Sequence, residues 1–200
     1  MAWNLPNILT WLRIIAVPMV VVLFYVPHKW ADIFAGLLFA AASITDSLDG
    51  YLARRMGLTS RLGAFLDPVA DKLIVAVALV LLVSKAHPDH LQHHWVVVLS
   101  ACVIIGREIA ISALREWMAE MGERTRVAVS SLGKLKTILQ MVGLSCMLYR
   151  LPLFGVLDVY TIGEWLTVAA AVLTLWSAIS YLKAAWPVLT APESGKPDGS

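Results

Sequence analysis

Long apolar runs alternate with short polar breaks along the whole chain. Residues 14–27, 33–45, 73–84, 95–105, 138–149 and 166–182 are almost free of charge. Extended by their flanks, each reaches the roughly 20 residues that span a bilayer. A backbone in lipid must satisfy its own hydrogen bonds, so helices are the expected form. The pattern predicts helices over 5–26, 30–55, 61–85, 95–121, 130–149 and 161–186. Pro6 suits a helix start, and Pro18 is expected to kink the first helix. The first segment is expected to remain as a helix, because Arg13 interrupts it and no small-x-small cleavage site follows it. The expected architecture is an all-α integral membrane domain over residues 1–187 with six transmembrane helices. A Pro-, Gly- and Ser-bearing tail, 188–200, is expected to be disordered.

Composition strengthens this reading. The chain is 59% hydrophobic and 15% charged, with a mean hydropathy of +0.75. Soluble domains are about half apolar and about a quarter charged. The net charge of +2 carries little information and does not point to nucleic acid. Its distribution carries more. With both termini cytoplasmic, six spans place Arg54, Arg55, Arg61, Arg115, Arg124, Arg126, Lys134, Lys136, Lys183 and Lys196 inside. Only Lys29, Lys85 and Arg150 fall outside, as the positive-inside rule requires. Trp3, Trp30, Trp95, Trp117, Trp165 and Trp186 fall near helix ends, where interfacial aromatics belong. Cys102 and Cys146 lie within apolar helices and are expected to be free, buried thiols. The outer loop carries His87, His90, His93 and His94. His90 and His94 have helical spacing, but the loop is read as solvated, with no acidic support except Asp89.

Acidic side chains inside membrane helices are costly and need partners or a function. Four of them cluster here. Asp46 and Asp49 stand at i, i+3 on the second helix, and Asp67 and Asp71 at i, i+4 on the third. Each pair therefore shares a helix face. The connection 56–60 is short, so the helices should pack antiparallel with both pairs at similar depth. Four like charges in a low dielectric need counter-charge. Two divalent cations would supply it, and carboxylates are the ligands Mg²⁺ and Mn²⁺ prefer. Such a pair can clamp the attacking and leaving oxygens of a phosphoryl transfer. Gly50 and Ala53 leave room on the Asp46/Asp49 face, Gly63 faces them, and Arg54 can neutralise phosphate oxygens. Pro68 is expected to bend the third helix at the site. Ion pairs of these acids with Arg13, Arg54 or Lys72 would explain one acid but not two face-matched pairs. An ion pathway would continue polar residues into the outer halves of the helices, which are apolar.

The full pattern is Asp46-x2-Asp49-Gly50-x2-Ala53-Arg54-x8-Gly63-x3-Asp67-x3-Asp71. It resembles the signature of the CDP-alcohol phosphotransferase family at every position. The resemblance implies a six-helix membrane enzyme, a homodimer, with a two-metal site (Mg²⁺ or Mn²⁺) facing the cytoplasm. It implies that Asp46, Asp49, Asp67 and Asp71 hold the metals and that Asp71 deprotonates the acceptor hydroxyl. Gly50, Arg54 and Ser60 are similar to the family's donor-binding positions, with Ala53 and Gly63 in the same motif. Asn7 and Thr10 are similar to its N-terminal contacts to the nucleotide diphosphate.

A second set of cations bears on the acceptor. Arg107 and Arg115 are eight apart, about two helical turns, and share a face. Lys134 and Lys136 open the fifth helix, where an anion is favoured. Glu108 and Glu116 are placed to orient some of these cations. Together they point to an acceptor that carries its own phosphate; ordinary flanking charge is the alternative, strongest for the two lysines. Residues 4–13, 61–75, 106–120 and 133–141 resemble the bacterial members of the family that use CDP-diacylglycerol as donor and sn-glycerol 3-phosphate as acceptor. That resemblance implies phosphatidylglycerophosphate and CMP as products and the bacterial inner membrane, with its lipids, as the location. The competing expectations are a sibling transferase acting on inositol phosphate, serine or phosphatidylglycerol, and a non-catalytic divalent-cation transporter.

Overall fold

The computed structural model describes residues 5–56, 61–122 and 131–190, and side chains over 9–45, 66–122 and 135–190. Among these the chain forms six long helices: α1 (Leu5–Tyr25), α2 (Lys29–Met56), α3 (Arg61–Ser84), α4 (His94–Glu120), α5 (Ser131–Tyr149) and α6 (Val159–Leu189). A 3-10 turn, Pro88–His93, joins α3 to α4. No strand occurs among the described residues; the nearest approach is one isolated bridge, Leu153 to Leu157. The apolar runs therefore become helices as expected, within a residue or two at most ends.

The helices pack as neighbours in an order set by short connections and by small residues. α5 lies against α6 and α2, α1 against α2 and α3, and α4 against α6 and α3. Gly143 and Gly163 explain the closeness of α5 and α6. A Cβ at Gly143 would stand 2.6 Å from the Thr167 hydroxyl, and one at Gly163 would stand 2.6 Å from the Gly143 carbonyl. Gly36 does the same for α2, where a Cβ would lie 2.8 Å from the Tyr149 backbone. Small residues that let backbones approach are the usual basis of helix association in lipid.

The main core contains Phe24, Phe39, Leu79, Leu82, Leu144, Met147 and Leu148, all fully buried. A smaller cluster, Ile111, Met118, Tyr181 and Ala185, joins α4 to α6 at the other end. The exterior is itself apolar: Phe34, Leu37, Val80, Leu99, Ile138, Leu175 and Trp176 are all exposed. Water would not tolerate such a surface in contiguous stretches, but lipid does. The regions Pro88–Glu120 and Val159–Leu189 are long and apolar enough to cross a bilayer. Together these features mark a membrane protein.

Three expectations need correction. The last helix does not stop at Trp186 but runs through Pro187 to Leu189. An interior proline loses its own N–H bond and its ring crowds the preceding turn, yet the helix continues past it and Thr190 N–H reaches the Trp186 carbonyl at 3.0 Å. The rest of the tail, 191–200, lies outside the described residues, as does 123–130. Cys102 and Cys146 are both free, but Cys102 is exposed on α4 instead of buried. A thiol is apolar enough for either a protein core or a lipid-facing surface, so its helix alone does not choose.

The third correction concerns the outer histidines. His90 Nε2 is 3.3 Å from Asp158 and its Nδ1 is 3.8 Å from Glu164. His87 and His90 both stack on Tyr160, at 4.5 and 4.8 Å between centroids. His94 Nε2 donates to the Val83 carbonyl at 3.0 Å. The loop is thus tied down by acids and an aromatic from α6 and its cap, which no local reading of 86–94 could supply. Both acids meet the same imidazole ring, at opposite nitrogens.

Candidate active site

The site is built where α3, α4, α5 and α6 meet. α3 carries Asp67 and Asp71 one turn apart, so their side chains leave the helix on one side. α1 packs on α3, and Thr10, buried to 2% exposure, donates its hydroxyl proton to Asp67 Oδ1 at 2.5 Å. Thr10, which the family resemblance also places against the donor diphosphate, here holds a carboxylate of the site. Paired carboxylates on one helix face, one of them aimed by a hydroxyl, are hard oxygen donors of the kind Mg²⁺ and Mn²⁺ favour, so the residues present fit such ions. Among the described residues, no group of three or more His, Cys, Asp or Glu converges. The second pair, Asp46 and Asp49, has its side chains outside the described residues, as have Asn7, Gly50, Ala53, Arg54, Gly63 and Lys134. Ser60 lies outside them altogether.

Asp71 and three of the candidate acceptor cations, Arg107, Arg115 and Lys136, line one cavity of about 470 Å³, together with Lys72, Ser112, Gln140 and Tyr181. That volume suits a small polar molecule. α4 supplies Arg107 and Arg115 from the same face, as their spacing predicted, and α5 supplies Lys136, buried to 8% exposure. Glu108 lies between two of these cations. Its Oε2 is 3.3 Å from Arg107 Nη1 and 3.7 Å from Lys136 Nζ. Four cations, Lys72, Arg107, Arg115 and Lys136, against Glu108 and Asp71 leave a positive balance in the pocket, which a phosphate dianion would offset. Glu116, the other expected partner, forms no ion pair among the described residues.

Sequence reasoning missed several groups in the cavity wall. Arg107 Nη2 donates to Ser177 Oγ at 2.9 Å, and Arg115 Nη2 to the Tyr181 hydroxyl at 2.7 Å. Both guanidinium groups also lie over the Tyr181 ring, at 5.4 and 4.9 Å from its centroid. Lys72 Nζ donates to Ser112 Oγ at 2.6 Å. A partial signal was present for two of these residues: Ser177 and Tyr181 stand at i, i+4 and so share a face of α6.

Comparison with known proteins places nearly the whole chain. Residues 3–176 match the family described as CDP-alcohol phosphatidyltransferase. A protein of Salmonella choleraesuis (strain SC-B67) named CDP-diacylglycerol--glycerol-3-phosphate 3-phosphatidyltransferase is 51% identical over 185 residues, covering 92% of this chain and 96% of that one. Proteins of the same name in Shigella flexneri serotype 5b and in Escherichia coli (strain K12) are 50% identical over the same shares. With the motif intact on α2 and α3 and the match spanning nearly all of the described helices, the chain belongs to the CDP-alcohol phosphatidyltransferase family.

Proposed function

We propose that this protein transfers the phosphatidyl group of CDP-diacylglycerol to sn-glycerol 3-phosphate, giving phosphatidylglycerophosphate and CMP. The observation that carries the proposal is the shared cavity of Asp71, Arg107, Arg115 and Lys136. It sets a candidate base beside cations suited to a phosphorylated acceptor. The relatives' names specify the same donor and acceptor.

In this reading Arg107, Arg115, Lys136 and Lys134 hold the acceptor's phosphate and turn its free hydroxyl toward Asp71. Asp71 takes the hydroxyl proton as the acceptor oxygen bonds to the phosphatidyl phosphorus. The bond from that phosphorus to the CMP oxygen breaks, and CMP leaves with the electron pair, its charge offset by Arg54. Asn7, Thr10, Gly50, Ala53, Ser60 and Gly63 line the donor, and Thr10 also orients Asp67 beside it. Asp46, Asp49, Asp67 and Asp71 would hold two divalent cations, Mg²⁺ or Mn²⁺, whose contribution is to neutralise the diphosphate. The six helices span the bacterial inner membrane with both termini and the site cytoplasmic, and the protein is a homodimer. Acyl chains of the donor stay in lipid beside the helices.

The test is CMP release by the purified protein in lipid nanodiscs, with CDP-diacylglycerol, Mg²⁺ or Mn²⁺ and a panel of acceptors. CMP with glycerol 3-phosphate alone is expected. CMP only with serine, inositol phosphate or phosphatidylglycerol would make it a sibling transferase. No CMP with any acceptor would favour a cation transporter.

A further inference from the structure

Two arginines on one helix face repel one another, and long side chains lose much entropy when fixed. Something must hold Arg107 and Arg115 together for both to meet one anion. α6 supplies that support. Its Tyr181, only 7% exposed, offers one ring to both guanidinium groups and its hydroxyl oxygen to Arg115. One turn earlier, Ser177 gives its proton to the Thr174 carbonyl at 2.9 Å, so its oxygen lone pairs face Arg107. Glu108 takes another Arg107 nitrogen. Arg107 is thereby fixed by two partners and a ring face, yet its buried Nε has no hydrogen-bond partner among the described residues. A buried donor left unmatched in an otherwise satisfied cluster is costly unless a ligand meets it.

We propose that Tyr181, with Ser177 beside it, is a positioning residue for the acceptor's phosphate. It locks the two arginines into one rigid anion fork, so part of the acceptor selectivity resides in α6, outside the family motif. This rests on the acceptor-site reading above. The ring faces both cations, which disperses their mutual repulsion. The hydroxyl fixes the rotation of the Arg115 guanidinium, which matters because recognition of phosphate by arginine is planar and directional. Tyr181 touches no reacting atom; it acts through the arginines.

Steady-state kinetics on full-length protein in nanodiscs test this, with Tyr181→Leu, Tyr181→Phe, Arg115→Ala and the double variant Tyr181→Phe/Arg115→Ala. Tyr181→Leu should raise the KM for glycerol 3-phosphate about tenfold or more, because both ring and hydroxyl are lost. The KM for CDP-diacylglycerol should stay within about twofold. Tyr181→Phe keeps the ring and should recover most of the affinity, leaving a rise of about three- to fivefold. In the Arg115→Ala background, Tyr181→Phe should add little, since its effect passes through Arg115. Equal rises in both KM values, or a full additional effect in the Arg115→Ala background, would overturn the proposal in favour of a structural role. If Tyr181→Leu does not fold, the Tyr181→Phe pair decides alone. Should Arg115→Ala raise the acceptor KM while both Tyr181 variants leave it unchanged, the positioning role fails and the acceptor site stands. Should Arg115→Ala itself leave that KM unchanged, the acceptor-site reading falls and this inference with it.

Discussion

Thr10 on α1 donates a hydrogen bond to Asp67 on α3 across 57 residues of sequence, at 2.5 Å. A carboxylate held this way has one oxygen committed and the other aimed. Thr10→Val should therefore weaken divalent-cation activation, raising the Mg²⁺ concentration for half-maximal rate about tenfold, a usual effect of losing such an orienting contact. Thr10→Ser keeps the hydroxyl and should restore most of it. A Mg²⁺ titration of CMP release measures both; an unchanged curve for Thr10→Val would show that the contact does not serve the metal.

Asp71 sits in the cavity wall among the cations. Asp71→Asn retains shape and removes the base, so turnover should drop at least about a thousandfold, in line with loss of general base catalysis and of a charge from the metal site. Membrane insertion and thermal stability should remain near those of the parent. Near-normal turnover would assign the proton to another group.

The contact between α5 and α6 depends on absent side chains. Gly163→Val would force atoms against the Gly143 carbonyl and the Met147 side chain, both within 2.8 Å of a new Cβ. Overpacking of this kind costs about 1–3 kcal/mol, so the melting temperature in detergent should fall by several degrees. Gly106→Ala is the matching control. Nothing lies within 4 Å of its new Cβ, so stability should hold or rise slightly.

His87 offers a pH test outside the apolar helices. Burial lowers its pKa from the usual 6.5, and the Arg150 and His90 charges push the same way, against the Arg150 carbonyl and Asp89. Its Nε2 lies 3.2 Å from the Arg150 carbonyl, which can only accept, so the proton belongs on Nε2. Nδ1 then accepts from the Asp89 N–H at 3.4 Å and caps the 3-10 turn. Protonating Nδ1 removes that cap. The folded chain binds the proton less readily than the unfolded one, so the contribution of His87 is present above about pH 6.5 and is lost as pH falls below it. His87→Gln should flatten the fall in melting temperature between about pH 6.5 and 5. An identical pH slope in variant and parent would contradict the assignment.

Much of the fold and the shape of the chemistry were legible along the chain. Apolar runs long enough for a bilayer leave helix as the form that satisfies its own backbone, so the positions of α1 to α6 followed from hydropathy alone. The face shared by Asp67 and Asp71, and that shared by Arg107 and Arg115, followed from helical periodicity. The free state of the cysteines followed from their context, though not the exposure of Cys102, because lipid-facing and core positions have the same composition.

Only the tertiary structure decided which faces meet. Periodicity assigns a residue to a side of its own helix but says nothing of the helix it touches. Thr10 turning to Asp67, His90 finding Asp158 and Glu164, and Tyr181 bracing Arg107 and Arg115 are contacts between segments 57 to 74 residues apart. They arise from helix packing set by small residues such as Gly143 and Gly163. The sequence by itself determined a helical membrane protein with paired acids and a matching set of cations. Packing decided that one acid of α3 and three of those cations, Arg107, Arg115 and Lys136, share a single cavity, because only the approach of α3, α4, α5 and α6 brings their separate faces to one point.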